Sequence, residues 1–257
     1  MRRFSSRLVF DMDFATLAIV FAAIGAGSIS KGATGMGMPL IAIPFLASVF
    51  GLQHAVAVLV VPTLVTNIWQ IWHFRAYRRD IRMRFLAPML PAVVVGVAIG
   101  TWLLDSMPER GLTLALGLLL VGYVVFRLAR PSFIVEGRGA FYGAVPAGLG
   151  AGVLHGATGI SAPIGVTFIH AMRFERGPHV YAVSAMFLTL VCTQGPALWV
   201  AGIMRPEWLL QGTLALVPIT LCMPIGQWLA SKLSPQAFDR LILAFLGVIG
   251  LKMAVGV

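Results

Sequence analysis

Acidic residues are the first scarcity in this chain: nine Asp and Glu among 257 residues, and none at the middle of an apolar stretch. A buried carboxylate proton relay through the hydrophobic core is therefore not expected. Cysteine is rarer still. Cys192 and Cys222 both fall within apolar segments and form no metal-ligand spacing, so neither a disulfide framework nor a zinc site is supported and packing is their expected role. No HExxH, GxSxG or Walker sequence occurs. An intramembrane hydrolase and an ATP-driven pump are accordingly disfavoured, no catalytic residue is assigned, and no cofactor or metal is expected.

What is present in excess is apolar sequence. The chain is 59% hydrophobic and 11% charged, with a mean hydropathy of +0.91, a combination that no single soluble core can hide. Its apolar runs approach the ~20 residues an α-helix needs to cross the bilayer and lack the alternation of barrel strands. A multi-pass helical membrane protein follows. The net charge of +10 would raise nucleic acid as a partner of a soluble protein. Here Arg75, Arg78, Arg79, Arg82 and Arg84 share one loop between apolar segments, as expected beside anionic headgroups on the cytoplasmic side, and no nucleic-acid motif accompanies them. The basic start, MRRFSSRLVFDMDF, is interrupted by Asp11 and Asp13, so a retained first segment is expected rather than a cleaved signal.

One stretch organises the rest. Lys31 to Pro44, KGATGMGMPLIAIP, returns as His155 to Phe168, HGATGISAPIGVTF. Gly32, Ala33, Thr34, Gly35 and Pro39 match Gly156, Ala157, Thr158, Gly159 and Pro163, and the likeness continues through His54 and His179 to Trp102 and Trp228. Apolar segments run from Phe14 to Ser30, Met38 to Phe50, Ala55 to Phe74, Phe85 to Leu104 and Leu112 to Leu128. The second set runs from Ala140 to Leu154, Ile160 to Met172, Val180 to Ala201, Trp208 to Ala230 and Phe238 to Ala254. The expected fold is all-α, a single transmembrane domain over 1–257 with repeat one at about 14–129 and repeat two at about 140–257.

Phe14 to Phe50 would reach about 55 Å as one helix, too far for a single upright crossing. Glycines in its middle predict a broken-helix hairpin, with a short second limb from Met38, and Ile160 should open the matching limb. Three spanning helices then follow each hairpin, which makes the two repeats inverted. With the arginine loop cytoplasmic, Arg127, Arg130, Arg138, Arg173, Arg176 and Lys232 fall inside and Asp105 and Glu109 outside, but Arg2, Arg3 and Arg7 also fall outside. The rival topology makes each broken region one tilted crossing, giving eight spans. Charge counting separates the two poorly.

Lys31 stands within an apolar region directly before GATG, where an ammonium is costly unless it meets an anion, water or carbonyls. Snorkelling to the interface is the alternative. His155 is its counterpart. Gly32, Gly35, Gly156 and Gly159 permit close backbone approach, and Thr34, Thr158 and Ser161 add hydroxyl donors. Short helices starting at Met38 and Ile160 would aim their N-termini at an anion, whereas small-residue helix packing is the competing explanation. Asn67 and Gln70 in the third segment correspond to Thr193 and Gln194 in the eighth, where polar side chains either line a cavity or bond neighbouring helices. Pro62, Pro88, Pro91, Pro196, Pro218 and Pro224 are candidate kinks.

The Gly-rich hairpin ending in Pro39, its repeat ending in Pro163, and their placement in two repeats over nearly the whole chain resemble the sulfite exporter TauE/SafE family of bacterial membrane transporters. The resemblance implies a multi-pass protein of the bacterial inner membrane and a secondary transporter, not an enzyme. Its substrate would be a small anion, sulfite or an organosulfonate, with alternating access as its mechanism. An anion channel of the same architecture is the alternative, and a membrane-embedded enzyme a more distant one. The expected partners are the anion and the lipid bilayer, with a homodimer unsurprising.

Overall fold

The computed structural model describes residues 14–35, 37–129, 134–135, 138–230, 232 and 235–255; Arg2, Arg3, Arg7 and Arg130 lie outside them. Helix α1 (Phe14–Thr34) stops within the glycine motif, where the Gly35 amide donates to the Lys31 carbonyl at 2.7 Å. Gly35 and Gly37 take φ of 80° and 99°, left-handed conformations that a side chain would strain. Helix α2 (Met38–Phe50) carries Pro39 in its first turn, where a missing N–H costs nothing, and turns back along α1 so that Ser28 Oγ lies 3.6 Å from Met38 Sδ. Gly51 leads into α3 (Leu52–Val58) and α4 (Val60–His73), one spanning tract interrupted at Leu59. Pro62 cannot donate to the Val58 carbonyl, which accounts for the break.

Two 3₁₀ turns, Arg75–Arg79 and Ile81–Phe85, hold the arginine cluster. Asp80 joins them, accepting from the Arg82 amide at 2.9 Å and from its guanidinium, which holds the Asp80 carboxyl below its usual range. Helices α5 (Leu86–Ser106) and α6 (Glu109–Ala129) complete the first half. In the second, α7 (Arg138–Thr158) ends at Gly159, φ 73°. The return limb begins as a π-helical turn, Ala162–Val166, and closes with α8 (Thr167–His170). The limb thus starts two residues beyond Ile160, because the Ile160 amide is engaged by Thr158 Oγ1 at 3.3 Å and stays in the connection. Helices α9 (Arg176–Val200), α10 (Pro206–Leu214), α11 (Leu216–Ala230) and α12 (Pro235–Val255) follow. The interruption at Ala215 stands three residues before Pro218, as Leu59 does before Pro62.

Among the described residues no strand occurs, and six helical tracts are long and apolar enough to cross a membrane. The protein is a multi-pass helical membrane protein. Helix α7 falls outside the six because glycines replace its larger apolar side chains, and that substitution serves packing. On α7, Gly148, Gly152 and Gly156 lie against the backbone of α5 at Met89, Val93 and Val97, in the same order along both helices. On α1, Gly25, Ile29 and Gly32 meet Cys222, Gly226 and Met223 of α11. Each first helix thus runs beside the fourth tract of the other half. Helices α4 and α9 pack together, as do α6 and α12.

Two contacts settle where the return limbs go. The Val135 amide, just before α7, donates to the Ala171 carbonyl just after α8 at 2.9 Å, so this hairpin comes back to its starting face. That face carries the arginine cluster, with Arg82 stacked 5.7 Å from the Phe174 ring centroid. Helix α2 ends instead at the opposite end of α5, where the Leu52 amide donates to Glu109 Oε1 at 3.3 Å. A single tilted crossing by α7 and α8 is incompatible with the first contact.

Candidate functional site

A helix that stops inside the protein leaves carbonyls without intrahelical partners. Both breaks are supplied by a glutamine from a neighbouring helix. Gln70 of α4 donates through Nε2 to the Gly35 carbonyl at 3.2 Å, and its Oε1 accepts from Ser184 of α9 at 3.0 Å. At the second break Gln194 of α9 donates to the His155 carbonyl at 2.9 Å and more loosely to Gly156 at 3.4 Å. The matched glutamines therefore hold the hairpin tips in place.

Lys31 lies one turn before the first tip and is buried. Its Nζ donates to Asn67 Oδ1 at 3.1 Å and stands 5.9 Å from the Phe187 ring centroid. Asn67 is oriented for this by donating its own amide to the Thr63 carbonyl at 2.7 Å. His155 meets the same Phe187 ring, centroid to centroid, at 6.3 Å. The two residues matched in sequence thus share one aromatic side chain of α9.

A cavity of about 390 Å³ reaches Lys31, Gly32, Gly35 and Gln70. Trp69, Met223 and Gln227 form its walls, and the exposed His73 and Arg176 stand beside the arginine-rich turns. The second break has its own cavity, lined by His155, Gly159, Gln194, Thr63 and apolar residues of α2 and α4, but it measures only about 10 Å³. That is room for roughly one water. His155 Nδ1 and Ser161 Oγ are buried without hydrogen-bond partners nearby.

The remaining expected residues divide between site and scaffold. Gly32 both lines the open cavity and lies against the Met223 carbonyl, and Gly156 packs on Val97 and Gly100. Thr158 Oγ1 donates to the Leu154 carbonyl at 2.7 Å, and Thr193 Oγ1 to Thr189 at 2.9 Å, so both hydroxyls are spent on their own helices. The Thr34 side chain lies outside the described residues. Of the two expected helix N-termini, α2 supplies one; the second limb is a π-turn leading into a helix of four residues and supplies no comparable dipole. Phe187, Trp69 and Arg176 give no signal in the sequence. An aromatic residue within an apolar helix looks like core, and an arginine at a helix entrance looks like an interfacial charge.

Neither a curated protein nor a solved structure matches the chain. The family model for the sulfite exporter TauE/SafE matches residues 19–253. The match takes in both glycine breaks and reaches into or across each of the six membrane-spanning tracts, and with it the chain belongs to the sulfite exporter TauE/SafE family of membrane transporters for sulfite and related anions.

Proposed function

We propose that the protein is a secondary transporter that carries sulfite or an organosulfonate across the bacterial inner membrane by alternating access. The observation that carries this reading is Lys31, a buried cation on the wall of a cavity of about 390 Å³ whose described lining contains no carboxylate. An uncompensated ammonium in a membrane protein is costly, and a bound anion removes that cost. Asn67 fixes the ammonium from one side, leaving its other donors for the ligand.

We further read the two halves as inverted repeats. Reciprocal glycine crossings support this: Gly32 and Gly226 belong to one and Gly156 and Gly100 to the other. Lys31, Gly35 and Gln70 of the open cavity match His155, Gly159 and Gln194 of the nearly closed one, and on this reading the two are counterpart halves of one pathway. Opening one while closing the other alternates access to the centre. A channel requires both open together.

Counterflow of labelled sulfite and methanesulfonate in proteoliposomes tests the reading. Lys31→Ala is expected to weaken the apparent affinity roughly ten- to a hundred-fold, the value of a hydrogen bond to a charged group. Arg205→Ala, at a helix entrance stacked 4.8 Å from the Trp208 ring centroid, should leave it unchanged. Thr158→Ala should lower rate by loosening the second tip. Unchanged kinetics in both site variants, or large unsaturable currents, would overturn the carrier reading.

A further inference from the structure

The groups facing Lys31 are basic or neutral on every side. Helix α4 presents Asn67, Gln70 and His73, α9 presents Arg176 and Phe187, and α11 presents Met223 and Gln227. Helix α7 reaches it only across Phe187, through His155. Among the described residues that line the cavity there is no Asp or Glu to balance the ammonium when the cavity holds no anion.

We infer that each anionic charge crosses together with one proton, which rides on Lys31 Nζ, an inference resting on the transport reading above. With the anion bound, the ammonium and its ligand form a neutral pair. After release, a carrier returning empty would have to take a bare cation through a closed, apolar intermediate. Asn67 Oδ1 offers only a dipole, and the Phe187 ring face, 5.9 Å away at its centroid, supplies a partial negative charge; neither is the counter-charge a buried ammonium needs. The neutral amine avoids this and still donates an N–H to Asn67. The chemistry balances simply. Hydronium and the amine give the ammonium and water as the anion enters, and the reverse transfer to cavity water accompanies its departure. One O–H bond of hydronium breaks as one N–H bond forms, and the release step reverses both. Lysine suits the task because arginine does not shed its proton. The cavity that reaches Lys31 supplies the water path, whereas the space at His155 holds about one water.

Methanesulfonate, which carries no titratable proton, is the probe. Proteoliposomes containing pyranine and given an inward methanesulfonate gradient should acidify by about one proton per anion taken up, with no net current, as expected of a single amine carrier. In Lys31→Arg, whatever uptake remains should carry no protons and become sensitive to membrane potential. His155→Gln should leave the proton-to-anion ratio as it is. Electrogenic methanesulfonate uptake without acidification in the unaltered protein would overturn the inference while leaving the transporter reading intact, and so would loss of acidification in His155→Gln with the anion still moving. Absence of counterflow with both methanesulfonate and sulfite would remove both readings together.

Discussion

Gln70 and Gln194 illustrate how the same residue type is read differently from sequence and from structure. As polar side chains in apolar helices they signal a cavity or a helix contact, and periodicity does not decide between them. Their partners decide: both donate to carbonyls at a broken helix end. Replacing Gln70 by leucine takes the side-chain donor from the Gly35 carbonyl, and replacing Gln194 takes it from Gly156 while the His155 carbonyl keeps the Gly159 amide at 2.6 Å; the expected loss is ~1–3 kcal/mol of stability. Thermal unfolding in detergent should show it for both variants; an unchanged midpoint would mean that water takes over the bond. Lys31 was legible as a candidate from its position before GATG alone. Its partner Phe187 was not, because the contact joins residues far apart in the chain and an apolar ring has no spacing to betray it.

At the scale of the elements, the glycine motifs do two separate jobs. Gly35 and Gly159 provide left-handed turns, and Gly32 and Gly156 provide close crossings with α11 and α5. Gly156→Val should be strongly destabilising, since a Cβ would meet the Val97 carbonyl and the Gly100 Cα. Gly122→Ala, with open space around it, should be neutral or slightly stabilising, by about 1 kcal/mol of helix propensity. Folded yield and melting temperature of the two variants provide the comparison, and equal behaviour would refute the packing role. Both hairpins were predictable because glycine followed by proline within long apolar runs admits few conformations. The unequal second limb was not: only the hydroxyl of Thr158, bonding two residues ahead, reveals why that helix starts late.

Across the whole molecule, the open and closed cavities make a prediction about access. A cysteine replacing Trp69 should react with a membrane-impermeant maleimide from the face that bears Arg75 to Arg84, and one replacing Thr63 should be protected from both faces. Saturating sulfite should exchange the two patterns in part. Labelling of the Thr63 position from the arginine face would contradict the assignment of the second cavity. The repeat itself could be read from matched residues, and the direction of each return limb needed the contacts Val135 to Ala171 and Leu52 to Glu109. The pairing of α1 with α11 and of α7 with α5 reaches further back. Neither half keeps its own first helix against its own fourth tract, so a half-length ancestor would have had no stable monomer to offer. It would have lived as a dimer with exchanged arms, inserted in both orientations. On the inverted-repeat reading proposed above, the present chain corresponds to that dimer made continuous, and two separately synthesised halves should still find each other in one membrane although neither is stable alone.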